Sequence, residues 1–435
     1  MGHNDLYEQA KRLIPGGTQL LSKRPEMFLP GGWPAYYSRA KGCEVWDLDD
    51  RRYVDMSLMG IGACVLGYAD EDVDAAVHEA IERGNMATLN APEEVELAEI
   101  LIGLHPWADA VRYARTGGEA MAVAVRIARA HTRRDKVLFC GYHGWHDWYL
   151  AANLSDDEAL DGHLLPGLEP RGVPRALKGT AFPFSYNDAE GFLSLMDEHG
   201  QDVGAVVMEP LRDEEPAPGF LEMIREETRT RGIVLVVDEI TAGWRLCVGG
   251  AHLCYDFEPD IAVFAKAMSN GYPMAAVIGR GEVMRAAQET FVSSTYWTER
   301  IGPSAALATI RKLGDEDVPA LLSHTGRAVK EVWISAAGEA GLDVHVGGLD
   351  PLVHLSFEHP EALALKTLFT QEMLDRGFLA TTAFYASFAH REEHVEAYAN
   401  VCREVLRVLA DALSAGDIVG RLRGPVCHAG FKRLT

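Results

Sequence analysis

The chain is short of positive charge. Against 64 Asp and Glu it carries only 41 Lys and Arg, a formal net charge of −23. That balance argues against nucleic acid and anionic membrane surfaces as partners. Any anionic ligand must then be met by local cationic or N–H groups, because the overall field repels it. Cysteine is sparse too: seven in 435 residues, with no Cys-x-x-Cys pair. An odd, scattered set excludes a disulfide framework and predicts reduced, mostly buried thiols in a cytoplasmic protein. No apolar run approaches the ~18 residues of a membrane span. The start MGHNDLYEQAKRLIPGG is polar and lacks the apolar stretch of a signal peptide. Internal repeats, low-complexity blocks and long Ser/Gly linkers are also missing.

What is present reads as an ordinary folded chain, with 48% apolar and 24% charged residues, enough for a sizeable core. Its length exceeds one small domain. A Pro/Gly-dense beginning leads into two short strands, Cys43–Asp49 and Arg52–Met56, joined by a turn at Asp49–Asp50. The middle alternates helical patterns, such as Phe220–Thr230 and Glu282–Glu289, with short apolar runs. Those runs are Val137–Cys140, Ala205–Met208, Ile233–Val237, Ile261–Ala265 and Ala275–Ile278. Such alternation predicts a mostly parallel sheet covered on both faces. From about Val318 the chain turns helical, passes through a strand at Leu352–Phe357 and ends in a helix near Glu392–Leu413. The expected division is residues 1–58 and 318–435 in a small domain and 59–317 in a large one.

Two strand ends carry chemistry. The run Ile233–Val237 ends in Asp238-Glu239, and ligands sit beyond the carboxyl ends of parallel strands. Taken alone, the pair could simply solvate a strand end. The run Ile261–Ala265 leads straight into Lys266, where a snorkelling surface lysine is the plain alternative. A buried lysine has a lowered pKa and becomes a nucleophile. Together they fit amine transfer, which needs a lysine able to form a Schiff base and a pyridinium electron sink held protonated by a carboxylate. That is pyridoxal phosphate (PLP) chemistry, with Asp238 as the carboxylate.

Thr116-Gly117-Gly118-Glu119 precedes the helical run Ala120–Ala130, a sequence that serves as a phosphate cradle or as an ordinary helix cap. A dinucleotide site at Gly60-Ile-Gly62 lacks the third glycine. Gly141-Tyr142-His143-Gly144-Trp145-His146 follows the strand Val137–Cys140 and can lay an aromatic on a flat ring. His143 and His146 are spaced i, i+3, but no Cys or Glu ligands accompany them, so no metal is expected.

With VVDEITAGWR (Val236–Arg245) followed by AKAMSNGYPMAAVIG (Ala265–Gly279), the chain resembles the class III aminotransferases of PLP fold type I. Within that family it resembles the glutamate-1-semialdehyde aminomutase branch, from about Leu13 to about Leu413. The resemblance implies an α/β fold: a large domain with a mainly parallel, seven-stranded-type sheet, and a small α+β domain built from both chain termini. It implies that Lys266 carries PLP, that Asp238 pairs with the ring nitrogen, and that Tyr142 and Ile240 cover the two ring faces. Gly117 and Gly118 would hold the phosphate, Glu209 would lie near the ring hydroxyl, and His143 joins the cofactor set. Thr295 would reach the phosphate in a neighbouring subunit, which implies a homodimer with shared active sites.

Three departures bear on the substrate and the cradle. Gly118 stands where the family usually has a second hydroxyl, so one phosphate hydrogen bond is lost or moved. Trp297-Thr-Glu-Arg-Ile-Gly302-Pro303 replaces the usual Gly-Asn-Pro. Tyr385 stands where the aminomutases carry a glutamate. Arg24 aligns with an arginine used for carboxylate recognition; the plain alternative is a surface arginine. The expected function is a transaminase taking an amino group from an amino acid such as glutamate to a hydroxylated ketone or aldehyde, an oxo-sugar or a shikimate/cyclitol-type keto acid. The rivals are a 2,1-aminomutase and a catalytically inactive PLP-binding protein.

Overall fold

The computed structural model describes residues 3–163, 166–211 and 214–429. The chain forms two compact units, one from its two ends, up to Asp70 and from Ala320, and the other spanning Glu71–Pro319.

The Glu71–Pro319 unit is built on a seven-stranded sheet. Its order is Ala110–Ala114, Ala275–Gly279, Ile261–Phe264, Val234–Asp238, Val203–Met208, Lys136–Cys140 and Ala181–Pro183. Only Ala275–Gly279 runs against its neighbours; the remaining pairings are parallel. The strands are short runs of Val, Leu and Ala, and alternate residues serve opposite faces. Val137, Phe139, Ala205, Val207, Val234, Val236, Ile261 and Val263 pack with Met121, Ala124, Ile127 and Ala128 of the helix Gly117–Thr132. Leu138, Val206, Met208, Leu235 and Val237 pack on the other face with Phe192, Met196, Phe220 and Ile224. This two-period split makes both faces dry, as a parallel sheet requires.

The helix Gly117–Thr132 starts where the sequence dictates. Thr116 is its N-cap, its Oγ1 accepting from the Glu119 N–H while Glu119 reaches back to the Thr116 N–H. Arg133, at φ 57°, ends it.

The other unit holds a four-stranded sheet, Tyr37–Lys41, Glu44–Asp47, Arg52–Met56 and Phe378–Ala380, and a three-stranded one, Val344–Leu349, Leu352–Phe357 and Ala383–Tyr385. Long helices Val318–Ala340 and Glu392–Ala415 belong to the same end of the chain. The boundary falls after Asp70 rather than after Leu58. The reason lies in main-chain pairing: Gly42 and Tyr68 form an antiparallel bridge, and the Phe388 N–H donates to the Val65 carbonyl at 2.8 Å. The later boundary, between Pro319 and Ala320, lies two residues from the expected one.

His390 ties the two chain ends together. Its Nε2 donates to the Asp55 carbonyl at 2.8 Å, and its Nδ1 accepts from the Ser387 N–H at 3.0 Å. Burial lowers its pKa from 6.5 to about 4, with a smaller push from His394. Between those values the unfolded chain binds a proton that the native chain refuses. Stability is therefore fully present above pH 6.5 and is lost as pH falls toward 4. The cost is of order 3 kcal/mol. Thermal unfolding of His390→Gln should show a shallower loss across this window than the native protein. Parallel pH profiles for the two would rule the account out.

Candidate active site

Five strands of the larger sheet end on one edge, and each delivers a residue there. Beyond Ala110–Ala114 lie Gly117 and Gly118. Beyond Lys136–Cys140 lie Tyr142 and His143. Glu209 follows Val203–Met208, Asp238 closes Val234–Asp238, and Lys266 comes just after Ile261–Phe264. All five strands run the same way, so these are carboxyl ends, where parallel sheets leave room for ligands.

Asp238 and Lys266 stand at the ends of adjacent strands, Asp238 as the last residue of its own and Lys266 two residues past Phe264, with Asp238 in register with Val263. The carboxylate is 3% exposed and oriented from two sides. Its Oδ2 faces His143 Nδ1 at 2.7 Å, and its Oδ1 accepts from the Ile240 N–H at 2.9 Å. His143 is itself buried, with Nε2 donating to the Cys140 carbonyl at 3.1 Å. Both its nitrogens are thereby engaged, one on the Asp238 carboxylate and one on the Cys140 carbonyl. Glu239, the second acid of the strand end, does not solvate it. It is fully buried and binds the Ala251 and His252 N–H groups and His252 Nδ1 at 2.7–2.9 Å, fixing the following loop.

Lys266 has a backbone φ of +48°, a left-handed conformation that costs a side-chain-bearing residue of order 1–3 kcal/mol and clusters at functional sites. Its Nζ donates to Thr241 Oγ1 at 2.9 Å. Burial, then the Arg245 guanidinium, lowers the pKa of this amine, while Asp238 and Glu209 pull the other way. The neutral, nucleophilic form is favoured relative to a surface lysine.

The remaining groups close around this pair. Ile240 packs on the Cα of Gly117, where a β-carbon would lie 2.8 Å from Ile240 Cδ1. Glu209 fills the space beside Gly141, at φ +113°, and accepts from the Tyr142 N–H at 3.3 Å. The Tyr142 ring is 44% exposed and meets Tyr149 edge-on at 6.2 Å. Burial and the Asp238 charge raise its phenol pKa. Thr116 accepts from the Glu119 and Ala120 N–H groups, and among the described residues the N–H groups of Gly117 and Gly118 are left open at the helix start.

Thr295 is exposed at the start of the short helical turn Thr295–Thr298. That segment is braced by Arg115, whose guanidinium binds Glu299 at 2.7 Å and the Trp297 carbonyl at 3.0 Å. Arg24 and Tyr385 belong to the unit formed by the chain ends. Arg24 packs against Gly16, and Tyr385 ends a strand, its N–H donating to the Ser57 carbonyl at 2.7 Å. Two residues near Lys266 went unread in the sequence, Thr241 and Arg245. Both sit inside the VVDEITAGWR motif, but only the fold shows that they turn back on Lys266. Among the described residues no three His, Cys, Asp or Glu side chains converge as a metal site, and no helix is long and apolar enough to cross a membrane.

A protonatable amine, a fixed carboxylate, a half-exposed aromatic and a helix N-terminus on one sheet edge suit a flat, phosphorylated cofactor with a basic ring nitrogen. Residues 31–349 match the family Aminotransferase class-III, and the chain belongs to that family. It is a PLP-dependent transaminase by family and by fold. It is 32% identical to a 2'-deamino-2'-hydroxyneamine transaminase of Streptomyces kanamyceticus, covering 89% of this chain and 92% of that one. It is 32% identical to a glutamate-1-semialdehyde 2,1-aminomutase of Syntrophus aciditrophicus, covering 93% and 97%. Its fold matches the PLP-bearing FumI protein of Sphingopyxis sp. MTA144 with a TM-score of 0.86 and 25% identity, over 95% of this chain and 97% of that one.

Proposed function

We propose that the chain moves an amino group from an amino-acid donor, glutamate foremost, to a hydroxylated ketone or aldehyde of biosynthesis, such as an oxo-sugar or a cyclitol-type keto acid. The observation that carries the reaction class is the pair at the ends of adjacent strands, Lys266 with a pKa-lowered amine and Asp238 with an oriented carboxylate. PLP, when bound, supplies an aldehyde for the amine and a ring that accepts electrons from the reacting carbon.

The chain's residues do the rest. Lys266 Nζ would hold the cofactor and, when free, would serve as the base for the proton on the donor's α-carbon. Thr241 Oγ1 keeps that nitrogen aimed. Asp238 keeps a proton on the ring nitrogen, and His143 keeps Asp238 in place. Tyr142 and Ile240 would cover the ring, Glu209 would lie near its hydroxyl, and the Gly117 and Gly118 N–H groups would hold the phosphate. Thr295, exposed on its braced turn, reaches the phosphate of a second subunit in a homodimer. Arg24 takes the substrate carboxylate as a bidentate fork.

The substrate class rests on Tyr385 and Thr381. Tyr385 puts a neutral hydroxyl where the aminomutase branch carries an acid. Thr381 adds a buried Oγ1 with no hydrogen-bond partner among the described residues. Neutral hydroxyls suit a polyhydroxylated acceptor, and a relative named for a hydroxyneamine is consistent with one. The aminomutase relatives favour a second reading, in which one molecule gives and receives the amine. Purified enzyme with glutamate and a panel of hydroxylated ketones should form amine and 2-oxoglutarate in equal amounts. Turnover of glutamate-1-semialdehyde with no added donor would establish the aminomutase instead. Activity confined to simple ω-amines would remove the substrate class.

A further inference from the structure

One ring nitrogen of His146, Nε2, is buried and left unpaired among the described residues. A buried, unpaired ring nitrogen of this kind costs of order 1–3 kcal/mol and calls for an explanation. The residue begins the short helix Asp147–Leu150, yet its side chain does not cap it. The ring instead lies over the first turn of the helix Gly117–Thr132. A β-carbon built on Gly118 would sit 3.3 Å from His146 Cδ2 and 3.5 Å from Nε2. Trp145 stacks on the imidazole at 4.5 Å and 18°, which fixes the plane of the ring.

The imidazole thus occupies the place a side chain at position 118 would take. It stands beside the open N–H groups of Gly117 and Gly118, at a helix start where the macrodipole favours an anion. A hydroxyl at position 118 is what the sequence lacks, and a ring nitrogen with donor capacity lies within reach of that spot. The nearest acids are Glu119, whose Oε2 is taken up by the Thr116 N–H at 3.1 Å, and the exposed Asp147. Neither is hydrogen-bonded to His146 Nε2.

We infer that His146 Nε2–H donates to the phosphate of the bound cofactor and replaces the hydroxyl absent at Gly118. The inference rests on the PLP reading of the site and extends it to one more residue. A neutral ring with its proton on Nε2 is enough, so the contact needs no added charge. The same geometry explains why position 118 is glycine: a larger residue would displace the imidazole from the helix start.

The test compares two forms of the cofactor. Apoprotein is titrated with PLP and with pyridoxal, which lacks the phosphate, and binding is followed by visible absorbance. His146→Ala should weaken PLP binding by on the order of tenfold or more, as for a lost hydrogen bond to a charged group. Pyridoxal affinity should stay within a factor of about two. His146→Gln, with an amide donor of similar reach, should recover part of the loss and serves if the alanine variant folds poorly. Equal weakening of both ligands, or no weakening of PLP, overturns the inference. Native protein that binds neither ligand would instead remove the PLP reading itself, so the two failures are distinguishable.

Discussion

Lys266→Ala is expected to lower kcat by on the order of 10²–10⁴-fold from the lost proton transfer alone, with a further loss from the missing covalent hold on the cofactor. The visible absorbance of the holoenzyme should shift at the same time, since the cofactor is then held only by non-covalent contacts. Lys266→Arg should be as poor. A guanidinium keeps the positive charge, but it does not deprotonate and so cannot take a proton from carbon. Small primary amines added to Lys266→Ala should restore part of the rate, because the cavity left by the side chain gives them access. Neither variant should unfold the protein, because the amine gives up a hydrogen bond to Thr241 Oγ1 and the left-handed backbone at 266 already costs energy. Thr241→Val removes that hydrogen bond and keeps the amine. Its effect should be milder, a few-fold in kcat with the lysine limb of the pH profile moved. A Lys266→Ala enzyme that keeps kcat within a few-fold of native would mean that another group does the chemistry.

The strands that carry the site were legible because they are buried on both faces. Apolar runs such as Val137–Cys140, Ala205–Met208 and Ile233–Val237 have no solvent side, so their ends stand out against the polar residues that follow. That contrast singled out Asp238 and Lys266 as candidates, and their pairing and the motif around them supplied the chemistry. Strands at sheet edges gave no such contrast. Ala110–Ala114 mixes Arg112 and Tyr113 into its run, Tyr37–Lys41 is exposed along most of its length, and Val344–Leu349 contains two glycines. The helical pattern at Glu282–Glu289 breaks into an α-turn, Gly281–Met284, and a tighter one, Arg285–Gln288. His143 and His146 show the limit most plainly. Their i, i+3 spacing could mean a metal pair only on a continuous helix. The chain instead turns at Gly144, at φ +98°, and sends one ring to Asp238 and the other to Gly118. Spacing in sequence cannot predict such a division, because it is set by the close approach of Gly144 to the Cα of Gly118.

Asp238→Asn should lower kcat by on the order of 10²–10³-fold, the scale for removing one oriented electrostatic contact from a reacting centre. The substitution is well matched to its surroundings. An amide oxygen can still accept from the Ile240 N–H, as Oδ1 does at 2.9 Å. An amide nitrogen would face His143 Nδ1, and His143 can present that nitrogen as an acceptor while Nε2 keeps its proton on the Cys140 carbonyl. Every buried hydrogen bond therefore survives with Nδ1 unprotonated and accepting, and thermal stability should move little. What is lost is the negative charge that, on the proposed reading, would keep a proton on the cofactor's ring nitrogen. Asp238→Ala leaves His143 without its partner in a buried site and should cost about 3–5 kcal/mol of stability besides the activity. His143→Phe keeps the carboxylate but frees it to turn. It should lose less activity than Asp238→Asn and should recover with an amide at 143, the mark of a positioning residue. The measurement that decides is kcat for Asp238→Asn alongside its melting curve. Native turnover in a stable Asp238→Asn protein would show that the ring nitrogen needs no anion there, and the pairing of positions 238 and 266 would lose its chemical meaning.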